Sequence, residues 1–342
     1  MFCLGFEDCS VKLVLLCVII SRVIDDLVKM FFRTLAAVVL ICCAAGQTVE
    51  GASTASKVIS KLKCQSWSIG IYTGDSPFDL KPAPGIKNPV ITPSSITGVK
   101  ASFAADPFMI LFDSTWYMFF ELKNKKTNQG DIALAVSSDG FKWKFQGIVL
   151  DEVFHLSFPH VFEWDGQFYM VPESRQTKSV RLYKALEFPK RWTYVCEIVP
   201  GDFVDPCIFY HSGRWWLFVG ANPHYNNELR LFYADNLTGP WVEHPKSPII
   251  KNDPMRARPA GRIVFYDGRL YRLAQSAKPI YGSAVRVFEI TSLTTTEYRE
   301  VEIPSSPVLK GSGKGWNARG MHTLDAHEIA PGKWIACVDG RP

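Results

Sequence analysis

No run of about five or six consecutive basic side chains occurs anywhere in the 342 residues, although Lys and Arg number 38 against 33 Asp and Glu. A nucleic-acid tract is therefore not expected, and the formal charge of +5 leaves room only for a mildly anionic ligand. No CxxC pair or Cys/His spacing of the zinc type is present, so no metal site is predicted from the cysteines. No apolar stretch reaches the ~20 residues that span a bilayer as a helix, since residues 11–20 and 34–46 fall well short. The 47% of hydrophobic and 21% of charged residues exclude a disordered, collagenous or coiled-coil chain.

What the chain does have is 24 Gly, 22 Pro, 10 Trp, 12 Tyr and 23 Phe, a surplus of turn formers and aromatics that suits many short strands. At the amino terminus, a start at Met30 gives a basic segment ending at Arg33, the apolar Leu35–Cys43 and the small residues Ala44, Ala45 and Gly46. That order is the order of a secretory signal peptide, with residues 1–29 read as upstream of the true start because Asp25 and Asp26 interrupt the earlier apolar stretch. An uncleaved anchor holding the domain in the Golgi lumen is the alternative. The expected organisation is a leader over 1–46, a linker over 47–63 and a single domain over 64–342. Cys64, Cys196, Cys207 and Cys337 remain in that domain, as one or two disulfides or as buried thiols. Asn236-Leu237-Thr238 is a glycosylation sequon in a turn-rich segment.

A unit of about 50 residues recurs along the domain. Its first hairpin reads Asp106-Pro107-Phe108 to Glu121, Phe158-Pro159-His160 to Glu173, Asp205-Pro206-Cys207 to Gly220, Arg258-Pro259-Ala260 to Gln275, and Met321-His322-Thr323-Leu324-Asp325 to Asp339. Trp164-Asp165-Gly166, His211-Ser212-Gly213, Tyr266-Asp267-Gly268 and Ala330-Pro331-Gly332 supply the turns. The first four units add a second hairpin carrying Trp143, Trp192, Trp241 and Tyr298. The pattern predicts an all-β fold, a five-bladed β-propeller of four-stranded blades. The fifth unit runs out of chain, so Ser66–Tyr72 is expected to pair with Trp334–Val338 and close the ring. Phe119, Met170, Leu217, Leu273 and Ala336 share one register and are expected to be buried between blades.

In a tight hairpin the start of the first strand and the end of the second lie side by side. One mouth of the channel should therefore gather Asp106, Glu121, Glu173, Asp205, Arg258, Gln275, His322 and Asp339, with His160 and Asp325 a residue or two deeper. Carboxyl groups, an arginine and histidines over an aromatic funnel form a plausible sugar site. Singly, each is as readily a structural turn cap.

Asn88-Pro89-Val90, Ala105-Asp106-Pro107-Phe108, Gln129-Gly130-Asp131-Ile132, Leu156-Ser157-Phe158-Pro159, Pro172-Glu173-Ser174, Tyr298-Arg299-Glu300-Val301 and Val338-Asp339-Gly340 together resemble the amino-terminal propeller of plant glucosamine inositolphosphorylceramide transferases, over about residues 64–342. In those proteins an exostosin-like glycosyltransferase domain follows the propeller, so the resemblance implies no transferase chemistry for these residues. A more distant resemblance, to family-43 glycoside hydrolases, implies a general base at Asp106 and an acid-tuning carboxylate at Asp205. The acid expected at the opening of blade four is absent, because Arg256-Ala257-Arg258-Pro259 stands there. A blade-five histidine of those enzymes corresponds to His322 or His327.

Two functions follow. The first is a carbohydrate- or glycolipid-headgroup-binding module of the secretory pathway, secreted or in the Golgi lumen, working beside a separate glycosyltransferase. The second is a glycoside hydrolase in which Asp106 activates water and Glu173 protonates the leaving oxygen, with Asp205 raising that acid's pKa. A propeller that only binds a protein partner is the bland third. No cofactor is predicted, the central channel being the place where an ion would sit. The binding reading expects Asp106 and Asp205 to approach each other across the channel, and Arg175 or Arg258 to pair with Glu173 and hold its pKa low.

Overall fold

The computed structural model describes residues 66–342. The leader, the linker and Cys64 lie outside them. The description that follows concerns the unit Cys64–Pro342 alone.

Strands β1 (Ser68–Ser76) and β2 (Asp79–Pro82) come first in the chain and are used last. Blade one is β3 (Ala101–Phe112), β4 (Thr115–Asn124), β5 (Gly130–Ser137) and β6 (Lys144–Leu150), hydrogen-bonded in that order. Blade two is β7 (Ser157–Trp164), β8 (Gln167–Glu173), β9 (Ser179–Glu187) and β10 (Arg191–Pro200). Blade three is β11 (Val204–His211), β12 (Arg214–Ala221), β13 (Glu228–Ala234) and β14 (Val242–Glu243), with β15 (Ile250–Lys251) beside β13. In blade four the inner strand is split into β16 (Arg258–Pro259) and β17 (Val264–Tyr266), both on β18 (Arg269–Ser276); β19 (Ala284–Leu293), β20 (Tyr298–Glu302) and β21 (Leu309–Lys310) follow. Blade five is β22 (Leu324–Ala330) and β23 (Lys333–Gly340), completed by β1 and β2 in the order β2-β1-β23-β22. The five-bladed propeller and its composite last blade are as the repeats imply. The closing pairs run from Ser68↔Gly340 to Gly74↔Trp334.

The inner hairpins turn through left-handed residues: Asp113 and Ser114 at φ 47° and 57°, Ser212 and Gly213 at 51° and 78°, and Asp267 and Gly268 at 49° and 69°. Such turns match the twist of the flanking strands, and Asp, Asn and Gly tolerate them. At the split in blade four the chain closes on blade five: Leu324 N donates to Ala260 O at 2.9 Å, and a Cβ on Gly261 would lie 2.0 Å from the Leu324 carbonyl oxygen.

Period-two alternation puts one face of each sheet against the next blade. Five apolar clusters result, one per boundary: Ile69, Ile71 and Cys337 against Met118 and Phe120; Phe119 and Leu134 against Met170 and Tyr183; Val171 and Leu182 against Leu217 and Trp215; Phe218 and Leu231 against Leu270 and Ile290; Leu273 and Val287 against Ala336 and Val338. Phe119, Met170, Leu217, Leu273 and Ala336 are all fully buried, as their shared register predicts. Cys196, Cys207 and Cys337 are free thiols. Burial pushes the Cys207 thiol up to about 12, which suits inert packing groups.

Candidate functional site

Three blades open alike. At Asp106, Phe158 and Asp205 the backbone is left-handed, with φ of 52°, 46° and 48°, each immediately before a proline. The ladder slips at the same points, between Ala105 and Phe108, Ser157 and His160, and Val204 and Cys207. A bulge of this kind re-aims one side chain out of the pleat, and the conformation costs a non-glycine residue of order 1 kcal/mol or more. In blade two the bulge delivers Phe158 into the core, edge-on to Phe108 at 4.8 Å. In blades one and three it delivers carboxyl groups to the mouth.

The carboxyl group of Asp106 meets blade five. Thr323 Oγ1 donates to its Oδ1 at 2.9 Å, and His322 Nε2 lies 3.3 Å from the same oxygen. The other ring nitrogen of His322 is 2.7 Å from Asp339 Oδ2. Asp339 in turn accepts the backbone N–H groups of His322 and Thr323, each at 3.0 Å, and that of Asp106 at 3.1 Å. Trp67 stacks on the His322 ring at 3.9 Å. Burial alone would lower the His322 pKa, but Asp339, Asp106 and Asp205 hold it above its ordinary value. Burial, with the charges of Asp205 and Asp339, pushes Asp106 up to about 6 despite the opposing His322.

Asp205 meets blade four. Arg258 donates to it twice, Nε to Oδ2 at 2.5 Å and Nη2 to Oδ1 at 3.1 Å, and Gln275 Nε2 adds a third bond at 2.7 Å. Arg258 Nη1 reaches Asn226 at 2.8 Å, and the guanidinium lies over the Tyr281 ring at 5.1 Å. Glu173, from blade two, accepts the Asp205 N–H at 3.3 Å and stands 3.5 Å from Arg258 Nη2. Glu121, from blade one, is buried, and no donor satisfies its Oε1; His155 Nε2 is 3.4 Å away. Gln275 Oε1 is likewise buried without a donor.

Arg258 is thus the partner of Glu173, as one of the two arginines expected; Arg175 binds Asp202 instead, at 2.6 Å. The expected consequence fails. Burial, then the adjacent Asp205, hold the Glu173 carboxyl well above its ordinary value, and Arg258 does not reverse this. The reason is geometric, since the fork of Arg258 is closed on Asp205 and turns only a long contact to Glu173. Glu121 is raised as well, by burial and by Asp106 and Glu173. Asp205 is among the charges that raise Asp106.

His160 and Asp325 are not part of the rim. Asp325 pairs with Arg262 through Nε and again through Nη2 at 3.1 Å, with His327 at 3.0 Å, and with the Met109 N–H at 2.7 Å. Arg262 also donates to Met109 O and Val161 O, at 3.2 and 3.4 Å. His160 accepts the Ile208 N–H at 3.3 Å and stacks on Phe108; burial and Arg262 lower its pKa to about 3. These side chains tie all five blades together below the mouth. His322, and not His327, is the blade-five histidine of the site. Sequence reasoning missed Thr323, Asn226, Tyr281, Trp67 and Arg262. Most sit on loops or outside the repeat, where no periodic signal marks them.

Asp106, His322 and Asp339 bring their donor atoms within 4.8 Å of one another. Each is engaged with the others, and His322 is disposed to keep its proton, whereas a metal ligand must lose it.

The family profile described as "Glucosamine inositolphosphorylceramide transferase 1, N-terminal" matches residues 61–341. The chain belongs to this family. Among members of the wider glucosamine inositolphosphorylceramide transferases, the Arabidopsis thaliana protein is 41% identical over 296 residues, covering 80% of this chain and 39% of that protein. The Oryza sativa subsp. japonica protein is 38% identical over 298 residues, with 80% and 40% covered. The chain therefore spans well under half the length of these relatives. In fold, the domain is similar to the catalytic domain of the Coprinopsis cinerea GH62 α-L-arabinofuranosidase, with TM-score 0.53 at 13% identity over 82% of this chain and 98% of that one. It is also similar to the Phanerochaete chrysosporium exo-β-1,3-galactanase, at 0.55 and 12% over 78% and 62%.

Proposed function

We propose that the mouth binds the sugar headgroup of a glycan or glycolipid, and that the domain serves as an accessory module in glycosylation, working beside a glycosyltransferase in the secretory pathway. The observation that carries this reading is the occupation of Asp205. Blade four supplies Arg258 where a hydrolase of this fold places an acid, and Arg258 with Gln275 takes both Asp205 oxygens. The mouth still keeps buried acceptors without donors, Glu121 Oε1 and Gln275 Oε1. A ligand hydroxyl or amine satisfies such groups, and leaving them empty is costly. The relatives' name, which couples glucosamine to inositolphosphorylceramide, suggests where to look for the ligand. A cleaved leader and a glycan on the exposed Asn236 belong to the same proposal.

One observation favours the hydrolase instead. Glu173 is disposed to keep a proton while Asp106 ionises near pH 6, and these are the states an acid and a base need. A glycan array combined with a reducing-end release assay separates the two. Binding without release is the expected result; release abolished by Asp106→Asn would establish the hydrolase.

A further inference from the structure

The strand order sorts every loop to one of two ends. The loops joining β4 to β5, β6 to β7, β12 to β13, β18 to β19 and β21 to β22 all lie at the mouth, as does the segment leading into β3. Exposed lysines crowd there: Lys100, Lys125, Lys126, Lys278, Lys310 and Lys314, none of them in an ion pair among the described residues. The acids of this rim are largely taken. Asp202 holds Arg175 and Lys178, and Asp253 holds Arg256, while Asp151 and Glu152 stand beside Val153 on the β6–β7 loop, where Glu152 accepts the Tyr183 hydroxyl. Three apolar side chains stand out from the same rim on three different loops: Val153 at 91% exposure, Tyr225 at 69% and Ile280 at 42%.

The opposite end also exposes apolar groups, Leu111, Phe112 and Phe265. Its hairpin tips, however, carry the exposed Asp113, Asp165 and Asp267. That end also exposes Lys142, Lys144 and Lys190, so the ends differ in degree, with the larger group of unpaired lysines at the mouth. We propose that the mouth end docks on a bilayer surface bearing anionic headgroups, with the lysines facing the headgroups and Val153, Tyr225 and Ile280 entering the interface. Basic side chains concentrate at anionic lipid, and a tyrosine suits the boundary between apolar and wet layers. The inference rests on reading the mouth as a glycolipid headgroup site, because docking in this orientation turns the mouth toward the lipid.

The test is sedimentation of the full chain with phosphatidylcholine vesicles with and without phosphatidylinositol, at low and high salt. Residues 1–65 are common to every variant, so differences between variants report on the rim. Wild type should favour the anionic vesicles, and lose that preference in salt. Lys125→Glu, Lys126→Glu, Lys278→Glu and Lys314→Glu together should weaken the binding by about tenfold or more, and Val153→Ser with Ile280→Ser by a smaller factor. Asp113→Lys with Asp267→Lys should not abolish the rim dependence, and circular dichroism should show all variants folded. Equal binding to neutral vesicles overturns the proposal. So does a lysine variant that binds vesicles normally but no longer binds heparin, which would assign the rim to a soluble polyanion. Rim-dependent vesicle binding without any bound glycan would sink the headgroup reading alone.

Discussion

Arg258 of blade four closes on Asp205 of blade three through two hydrogen bonds, while the neighbouring Glu173 receives only a 3.5 Å contact from the same guanidinium. One arginine therefore serves two carboxyl groups unequally, and Glu173, raised first by burial, receives only the smaller share of its charge.

Removing the arginine should leave Asp205 buried without its cation. Arg258→Ala is expected to cost about 3 kcal/mol or more in urea unfolding at neutral pH. Arg258→Lys, which keeps a charge but not the fork, should recover part of the loss. An alanine variant as stable as wild type would show that the pair contributes nothing.

Glu121 contributes to the pH dependence of the mouth. Its carboxyl is raised by burial and by its acidic neighbours, so the folded state binds the proton more tightly than the unfolded chain. Its ionisation therefore costs stability as pH rises from the ordinary carboxylate range up through the folded value, by up to about 1.4 kcal/mol per pH unit. Glu121→Gln removes that dependence. The variant should match wild type in acid and exceed it at higher pH, and parallel stability curves would refute the assignment.

Below the mouth the sign is reversed. Burial alone would raise Asp325, but Arg262 and then His327 hold it well below its ordinary value. Its contribution is present above the unfolded carboxylate pKa and disappears as pH falls through the folded one. Asp325→Asn should cost about 3 kcal/mol or more at pH 7, since it strands Arg262. Thermal unfolding of the variant and wild type should converge in strong acid.

The thiols offer a check on the blade boundaries. Cys207 and Cys337 are buried with raised pKa values, whereas Cys196 is half-buried on the outer strand β10. Among these three described thiols, alkylation followed by peptide mapping should modify Cys196 first and reach the other two only in denaturant. Early labelling of Cys337 would mean that blade five opens in the native state.

The blades were legible because each hairpin announces itself twice, by a turn such as Asp165-Gly166 and by the alternation that buries Phe119 and its four counterparts. The mouth was legible because antiparallel geometry fixes which strand ends meet. The deeper position of His160 and Asp325 was legible from the same geometry, but not the partner of Asp325: Arg262, on the irregular stretch between β16 and β17, reaches it from the neighbouring blade. Nor could composition say which acid Arg258 would choose, and the raised pKa of Glu173 depends on that choice. Tyr281 and Trp67 carry no periodic signal, since one lies on a loop and the other precedes the first strand.

The composite last blade has a consequence for synthesis. Tyr72 contacts Met321 across 249 residues of sequence, and β1 finds its partner only in β23. Until that strand has left the ribosome, β1 and β2 wait as an unmatched hairpin, and blade four presents Leu273 and Val287 to solvent. The most non-local contacts in the molecule are thus the ones that finish it, and such contacts form slowly. The nascent domain must spend its assembly time with an open seam, which makes the interval before closure, more than the finished ring, the stage at which chaperones have something to protect.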